Sequence, residues 1–268
     1  MSDVRGRIED ALRIDAPYVE RRISDFIREK LEEAGAGGLV VGLSGGLDSS
    51  VCAALCVRAV GAGRVLGLFL PEGGFTQPGD RDDVLCLARM LGMEVREIDI
   101  SGVLRALEGV IVDFDSGARL ANANLRPRVR MAVLYYYANL QGRLVVGAGN
   151  KTELKIGYFT KFGDGAADLL PIGCLYKTQV RSLARHLGIP EEIIAKVPTA
   201  GLWPGQTDEG EIGVSYDVLD RVLVGEELGF SVSEISSALG VSASEVERIL
   251  GMVERARHKL LPPPVPRL

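Results

Sequence analysis

Three glycines and four residues with hydroxyl or carboxylate oxygens stand between two apolar runs in VVGLSGGLDSSVCAAL, residues 40–55. Glycines beyond the end of a buried strand let backbone N–H groups close on an anion, and a helix beginning near Asp48 adds the positive end of its dipole. Ser44, Ser49 and Ser50 can donate hydroxyls to phosphate oxygens. Phosphate repels Asp48 unless a cation stands between them, and magnesium, which takes few protein ligands and many phosphate oxygens, is the natural mediator. The stretch lacks the lysine that closes a G-x-x-x-x-G-K-[ST] loop, so it reads as a polyphosphate site of another kind. The alternative is an ordinary strand-to-helix turn capped by Asp48; the glycine pair beside the serine run argues against it. A second cluster, GDGAAD at residues 163–168, allows tight turns around Asp164 and leaves Asp168 nearby as an acidic pair, unless it is only a solvated turn.

The elements that must position these residues alternate between amphipathic helices and short β-branched runs, which predicts an α/β fold. A helix is expected over residues 17–34, where Val19, Ile23, Phe26, Ile27 and Leu31 recur at helical spacing before the stop GAGG. Four strand-like runs follow, GLVVGLS, RVLGLFLP, MEVREIDI and RLVVGAGN, each apolar enough for a parallel strand covered on both faces. Helices expected over 48–60, 80–92 and 127–141 would wind right-handed crossovers on both faces of a doubly wound parallel sheet. Beyond residue 150 come polar loops, a helix in YKTQVRSLARHLG and a C-terminal helical portion, with all 268 residues forming one domain. VPTAGLWPGQTDEGEIG, residues 197–213, reads as a lid able to exclude water.

With 31 Lys and Arg against 36 Asp and Glu, the formal charge of −5 provides no global field for nucleic acid or anionic lipid. No stretch reaches the length of a membrane span, and the N-terminal MSDVRGRIED has no apolar signal core, so a cytoplasmic protein is expected. Cys52, Cys56, Cys86 and Cys174 form no metal-ligand spacing and are expected to be buried, reduced thiols. FSVSEISSALGVSASEVERILGMVER has helix-turn-helix spacing with Gly240 at the turn, but Glu245 and Glu247 on the second helix would repel DNA phosphates.

SGGLDSS is similar to the SGGxDS signature of the N-type ATP pyrophosphatases, which cleave ATP between its α and β phosphates. The motif alone leaves the acceptor open, with tRNA-modifying and GMP-forming enzymes as alternatives that usually carry an added domain not visible here. NANLRPRVRMAVLYYYAN, VVGAGNKTELKIGYFTKFGDGAADLLPI, LYKTQVRSLARHLGIP, SYDVLD and the HK of RARHKLLPPP together resemble the NAD synthetase family over essentially the whole chain. The resemblance implies adenylation of the nicotinate carboxylate of deamido-NAD, then attack by ammonia to give NAD, AMP and pyrophosphate. It implies the ammonia-dependent form, since the pattern fills the 268 residues and leaves no room for an amidase domain.

By the same resemblance, Gly42, Leu43, Ser44, Gly45, Gly46, Leu47, Asp48, Ser49, Ser50, Lys177 and Thr199 would bind ATP, and Asp48 and Glu153 would hold Mg2+. Asn124, Arg128, Lys161, Asp164, Asp168, His258 and Lys259 would surround deamido-NAD. Asp164 and Lys161 would be catalytic, the first taking a proton from ammonium and the second orienting the substrate carboxylate. Ala148 stands where family members often carry threonine, which implies backbone rather than hydroxyl contacts to ATP there. Over 127–141, Val129, Ala132, Val133, Tyr136, Tyr137 and Leu140 form one apolar stripe that Met131, Leu134 and Tyr135 widen beyond a normal surface helix. Either a partner covers the remainder or the helix is buried within one subunit, and the resemblance implies a two-fold homodimer with deamido-NAD near the interface.

Overall fold

Strands β1 (Gly38–Leu43), β2 (Val65–Phe69), β3 (Glu94–Glu97) and β4 (Arg143–Val146) form a parallel sheet in the order β3-β2-β1-β4. Leu39 pairs with Val65 on one side and Leu144 on the other, so β1, like β2, is an inner strand between two parallel neighbours. The computed structural model describes residues 2–266 apart from Pro78 and Pro204. The run expected as a strand over 93–100 is regular strand only over β3, a polar edge strand on which Arg96 bridges Glu94 at 2.7 Å. Charge on an edge discourages pairing with a second sheet.

Helices α1 (Ser2–Leu12), α2 (Ala16–Glu33), α3 (Leu47–Val60), α4 (Asp80–Leu91), α5 (Ser101–Val110) and α6 (Arg119–Gln141) surround or interleave the first strands. After β4 come α7 (Lys151–Ile156), α8 (Lys177–Leu187), α9 (Glu191–Ile194), α10 (Asp208–Ile212), α11 (Tyr216–Glu227), α12 (Val232–Leu239) and α13 (Ala243–Leu260). One sheet face packs Leu39, Val41 and Val146 against Ile27, Val51, Leu55 and Leu183 from α2, α3 and α8. The other packs Val40, Leu66 and Val145 against Leu104 and Val129 from α5 and α6. Both faces are therefore covered, which is why the inner strands read as continuous apolar runs.

A third cluster joins α11, α12 and α13 around Leu219, Val222, Ile235, Val246 and Ile249, and α1 enters it through Ile8, which has no exposed surface. The helix-turn-helix spacing is thus spent on packing, with Ser242 capping α13 by accepting from Glu245 N. Helices α1 and α5 were not anticipated, and α6 begins eight residues before the expected start at 127. Proline at the first helical position reads as a helix start, but Pro127 lies buried inside α6. The backbone beside it is supported by Arg126, whose Nη1 donates to Asn122 O at 3.3 Å. Of the four cysteines, Cys52 and Cys56 are buried and reduced as expected, whereas the free thiols of Cys86 and Cys174 are exposed. Among the described residues no helix is long and apolar enough to cross a membrane.

Candidate active site

The carboxyl ends of β1, β2 and β4 open into one cavity of about 660 Å³, lined by Leu43 and Ser44, Phe69 and Leu70, and Val146 to Gly149. The chain leaves β1 for β2 on one side and has β4 on the other, so the cavity sits at the topological switch point, where open α/β sheets bind ligands. Between β1 and α3, Gly45 has φ +78°, and a Cβ there would lie 2.8 Å from Asp80 O. Only glycine lets the loop turn against α4. Ser49 Oγ and Ser50 Oγ both donate to Gly46 O, at 3.1 and 2.7 Å, which holds the turn over the N-terminus of α3.

Behind the loop, four elements meet on a buried charge cluster. Lys177, at the start of α8, is hydrogen-bonded through Nζ to Asp48 Oδ2 and lies 3.6 Å from Glu153 Oε1. Burial opposes its charge, but Asp48, Glu153 and Asp208 more than reverse this and raise its pKa. Glu153 caps α7 by accepting from Asn150 N at 3.3 Å, and burial followed by the Asp48 charge pushes its pKa up to about 8. Asp220 on α11 fixes the geometry from behind, accepting from Thr152 Oγ1 of α7 at 2.6 Å and from Thr178 N of α8 at 2.8 Å. Tyr216 OH donates to Asp208 Oδ2 at 3.1 Å and stands 3.5 Å from Glu153 Oε1.

At the opposite end, Asp164 faces the cavity from a turn closed by Gly163 and Gly165, its Oδ1 accepting from Thr160 N at 3.0 Å. Asp164 keeps exposed surface, and desolvation by the surrounding protein raises its pKa against the hydrogen bonds from Thr160. Lys259 reaches the same turn because α13 docks on Gly157, where a Cβ would fall 2.4 Å from that of Ala256. Its ammonium donates to Gly157 O at 2.7 Å and Phe159 O at 2.9 Å, and burial lowers its pKa while Asp164 opposes that. The cavity thus joins a loop rich in glycine and serine, with a lysine and carboxylates behind it, at one end to Asp164 with a lysine at the other. The NAD synthase family profile matches residues 19–263.

The chain belongs to the NAD synthase family. It is 47% identical over 255 residues to the NH(3)-dependent NAD(+) synthetase of Methanosarcina mazei, covering 95% of this chain and 100% of that one. Among solved structures, NMN synthetase from Francisella tularensis matches with TM-score 0.84 and 36% identity, covering 96% of this chain and 100% of the other. The NH3-dependent NAD synthetase of Campylobacter jejuni in complex with the nitrate ion matches with TM-score 0.78 and 29% identity over 95% of this chain and 100% of the other.

Of the family residues carried onto this sequence, Gly42, Leu43, Ser44, Gly46, Leu47, Asp48, Ser49, Asn124, Glu153, Asp164, Lys177, Thr199 and Lys259 line the cavity. Gly45 and Ser50 do not; they shape the loop from within, Ser50 being 1% exposed. Asp168 does not form the expected acidic pair in the cavity. Its carboxylate accepts from Val145 N at 2.7 Å and Tyr135 OH at 3.2 Å, stitching the turn to β4 and α6. Lys161 also points elsewhere, its Nζ donating to His258 O at 2.9 Å, and Arg128 Nη2 reaches Lys161 O at 3.4 Å. These three form a chain outside the cavity, leading to a groove lined by Leu125, Arg128, Val129 and Tyr136.

Arg181 and Arg130 were missed by sequence reasoning and line the NAD synthase cavity. Arg181 follows Lys177 by one helical turn, and that spacing was the available signal. It makes no hydrogen bond or ion pair among the described residues, so its charge is free for an anion. Residues 198–203, with Gln206, Asp208 and Glu211, form one wall of the cavity, and Gln206 Nε2 ties that wall to Glu211 at 2.8 Å. Pro204, within the expected lid, lies outside the described residues.

Proposed function

We propose that residues 1–268 form a single NAD synthetase domain that amidates deamido-NAD with ammonia, consuming ATP in a magnesium-dependent reaction and releasing AMP and pyrophosphate. The observation that carries this reading is that the SGGLDSS loop and the Asp164–Lys259 turn share one cavity, so a phosphate chain and an acyl group can meet in it. The carboxylate oxygen of the nicotinate attacks the α-phosphorus and pyrophosphate leaves; ammonia then adds to the acyl carbon and AMP leaves. Both substrates are anionic, so charge must be offset before they approach. Lys177, Arg181, the loop N–H groups and the N-terminus of α3 supply part of that offset.

Asp48 and Glu153 suit Mg2+, which is held by one or two carboxylates with the remaining positions filled by phosphate oxygens and water. Bound there, the ion would neutralise charge building on the α-phosphate. Thr199, exposed on the loop after α9, closes on the phosphates from the lid side. Asn124 and Lys259 meet the nicotinate half, while Arg128, Lys161 and His258 meet the outer part of the dinucleotide. Asp168 acts on that substrate through the backbone it holds.

The groove beside Arg128, with Tyr136 63% and Leu140 64% exposed, supports a homodimer built on α6, in which the outer half of deamido-NAD would lie beside a second copy. The protein would act in the cytoplasm, with no nucleic-acid or membrane partner.

The test is turnover by the purified chain with ATP, magnesium and deamido-NAD, supplied with ammonium or with ammonia-free glutamine. NAD and AMP should form in equal amounts with ammonium and not with glutamine; comparable rates with glutamine would sink the ammonia-dependent reading. Because one similar structure is of an NMN synthetase, nicotinate mononucleotide is included as a rival acceptor. A higher kcat/KM for it than for deamido-NAD would move the substrate assignment and leave the chemistry standing.

Arg181→Ala should raise the KM for ATP by about tenfold with little change in kcat, since a charge-assisted contact to a phosphate present in ground and transition states alike would be lost. Steady-state kinetics with varied ATP reads the split. An unchanged KM would remove Arg181 from the phosphate site.

A further inference from the structure

Orienting the nicotinate carboxylate was expected of Lys161, whose ammonium instead donates to His258 O outside the cavity. Among the described residues, the cavity-lining cations are mostly engaged: Lys177 is bound to Asp48, Lys196 to Asp80 and Gly45 O, and Lys259 to the carbonyls of Gly157 and Phe159. Arg181 belongs to the phosphate end, one turn after Lys177 on α8. Arg130 of α6 differs from all of these. Its Nε donates to Leu70 O at 3.0 Å, at the carboxyl end of β2, while Nη1 and Nη2 make no hydrogen bond or ion pair among the described residues and are not sealed in protein. The buried carboxylate of Glu72 cannot serve them, because Arg126 donates to both its oxygens, at 2.5 and 3.0 Å, and stacks on Phe75 at 4.1 Å.

The position of Arg130 is fixed from both sides. One turn earlier, Pro127 lies against the Asp164 turn, where a Cβ on Gly163 would fall 3.0 Å from the proline Cβ, and Asn124 Oδ1 accepts from Thr160 Oγ1 at 2.6 Å. One turn later, Leu134 packs on Gly42, where a Cβ would lie 3.4 Å from its Cδ1. Residues three and four apart share a helix face, so Arg130 enters the cavity between the acid turn and the strand end that leads into the SGGLDSS loop. An acyl group and an α-phosphate have to meet there. Burial lowers the pKa of Arg130, and Glu72 and Asp164 offset this only in part against Arg126, so the guanidinium lacks a full counter-charge.

We propose that Arg130 is a catalytic residue that takes the nicotinate carboxylate of deamido-NAD on Nη1 and Nη2 and so tells this acid from the amide it becomes. The inference rests on the deamido-NAD reading above. Two parallel N–H donors match a carboxylate, and they stabilise an oxyanion more than a neutral carbonyl. One carboxylate oxygen stays on the fork while the other bonds to the α-phosphorus and the bond to pyrophosphate breaks. When ammonia adds, the C–N bond forms and the carbonyl electron pair moves onto the oxygen that Arg130 holds. That pair returns as the C–O bond to AMP breaks; AMP leaves with the electrons of that bond, and the nitrogen sheds a proton to water. The amide product then turns N–H groups toward a donor, which favours its release.

Calorimetry on the full chain with deamido-NAD and with NAD, with α,β-methylene ATP filling the nucleotide site, reads the assignment without turnover. The wild type should bind deamido-NAD about tenfold more tightly than NAD, the scale of one charge-assisted hydrogen bond. Arg130→Gln keeps a donor for Leu70 O but no charge, and should bind the two dinucleotides about equally. In turnover it should lose on the order of 10² in kcat for NAD formation while the KM for ATP stays near the wild-type value. Arg130→Lys keeps the charge without the fork, and should retain most of the binding preference but lose about tenfold in kcat. Should Arg130→Gln not fold by its melting curve, the lysine variant decides by that loss. Wild-type kcat in a folded variant, equal binding of both dinucleotides by the wild type, or an effect confined to the KM for ATP overturns the assignment. Wild-type protein that binds neither dinucleotide would instead overturn the deamido-NAD reading, and this is seen before any variant is compared.

Discussion

Replacing Asp48 by asparagine should slow adenylation by on the order of 10² or more, the usual scale for removing one group that offsets charge in a transition state. The substitution is nearly isosteric and leaves Asn150 a partner, so the loop that Gly45, Ser49 and Ser50 build stays in place. What changes is charge. Lys177 loses its closest counter-ion and keeps Glu153 at 3.6 Å, while the cation loses one of its two protein ligands. Glu153→Gln should act in the same direction, and glutamine is the right probe because it can still cap α7 from the third helical position as Glu153 does now. Exchange of labelled pyrophosphate into ATP in the presence of deamido-NAD, followed as magnesium is varied, measures the step directly. Both variants should need more magnesium to reach half their own maximum, and EDTA should silence the wild type. Wild-type exchange at limiting magnesium in either variant would show that the carboxylate does not serve the cation.

The sequence makes the inner sheet legible because β1 and β2 are buried on both faces, so their composition reports their environment. It is less informative at the edge: MEVREIDI alternates too weakly to show that the regular strand ends at Glu97, while Ile98 N still donates to Phe69 O at 2.9 Å and Ile100 N to Pro71 O at 3.0 Å. Pro127 hides the first two turns of α6 because a local rule for helix starts competes with tertiary support from Arg126, itself paired with the buried Glu72. In the site, the loop chemistry of residues 44–50 follows from residue types alone, since glycine spacing and hydroxyls carry the meaning.

The buried cluster behind that loop needs four elements that are far apart in the chain: Asp48, Glu153, Lys177 and Asp208 converge only through packing. Asp208 in particular reads as an ordinary acid in the first turn of a helix capped by Thr207, and nothing local distinguishes it from Glu209. The direction of a side chain is likewise invisible in one dimension. Phe162 adopts φ +62° between Lys161 and Gly163, and Lys161 turns out to His258 while Asp164 turns in.

That divergence sets the expected result at the nicotinate end. Asp164→Asn should keep much of the pyrophosphate exchange and lose NAD formation by on the order of 10², the range for removing a positioned proton acceptor. Ammonium must give up a proton before its nitrogen can attack. A carboxylate whose pKa is raised by enclosure is a stronger proton acceptor than an ordinary one, and it stays charged at neutral pH only while that pKa lies below the working pH. The wild-type rate of amide formation should therefore fall on the acid side through a pKa raised from that of an ordinary aspartate. In the asparagine variant that limb should vanish along with the rate. Lys161→Ala serves as the contrast. Its ammonium anchors the end of α13 through His258 O rather than facing the cavity, so its loss should loosen the turn and weaken both partial reactions together, with the acid limb retained. Exchange and amide formation measured separately in each variant over pH decide the matter. Equal loss of both in Asp164→Asn would assign that carboxylate to substrate binding or adenylation, and the proton-acceptor role would have to be dropped.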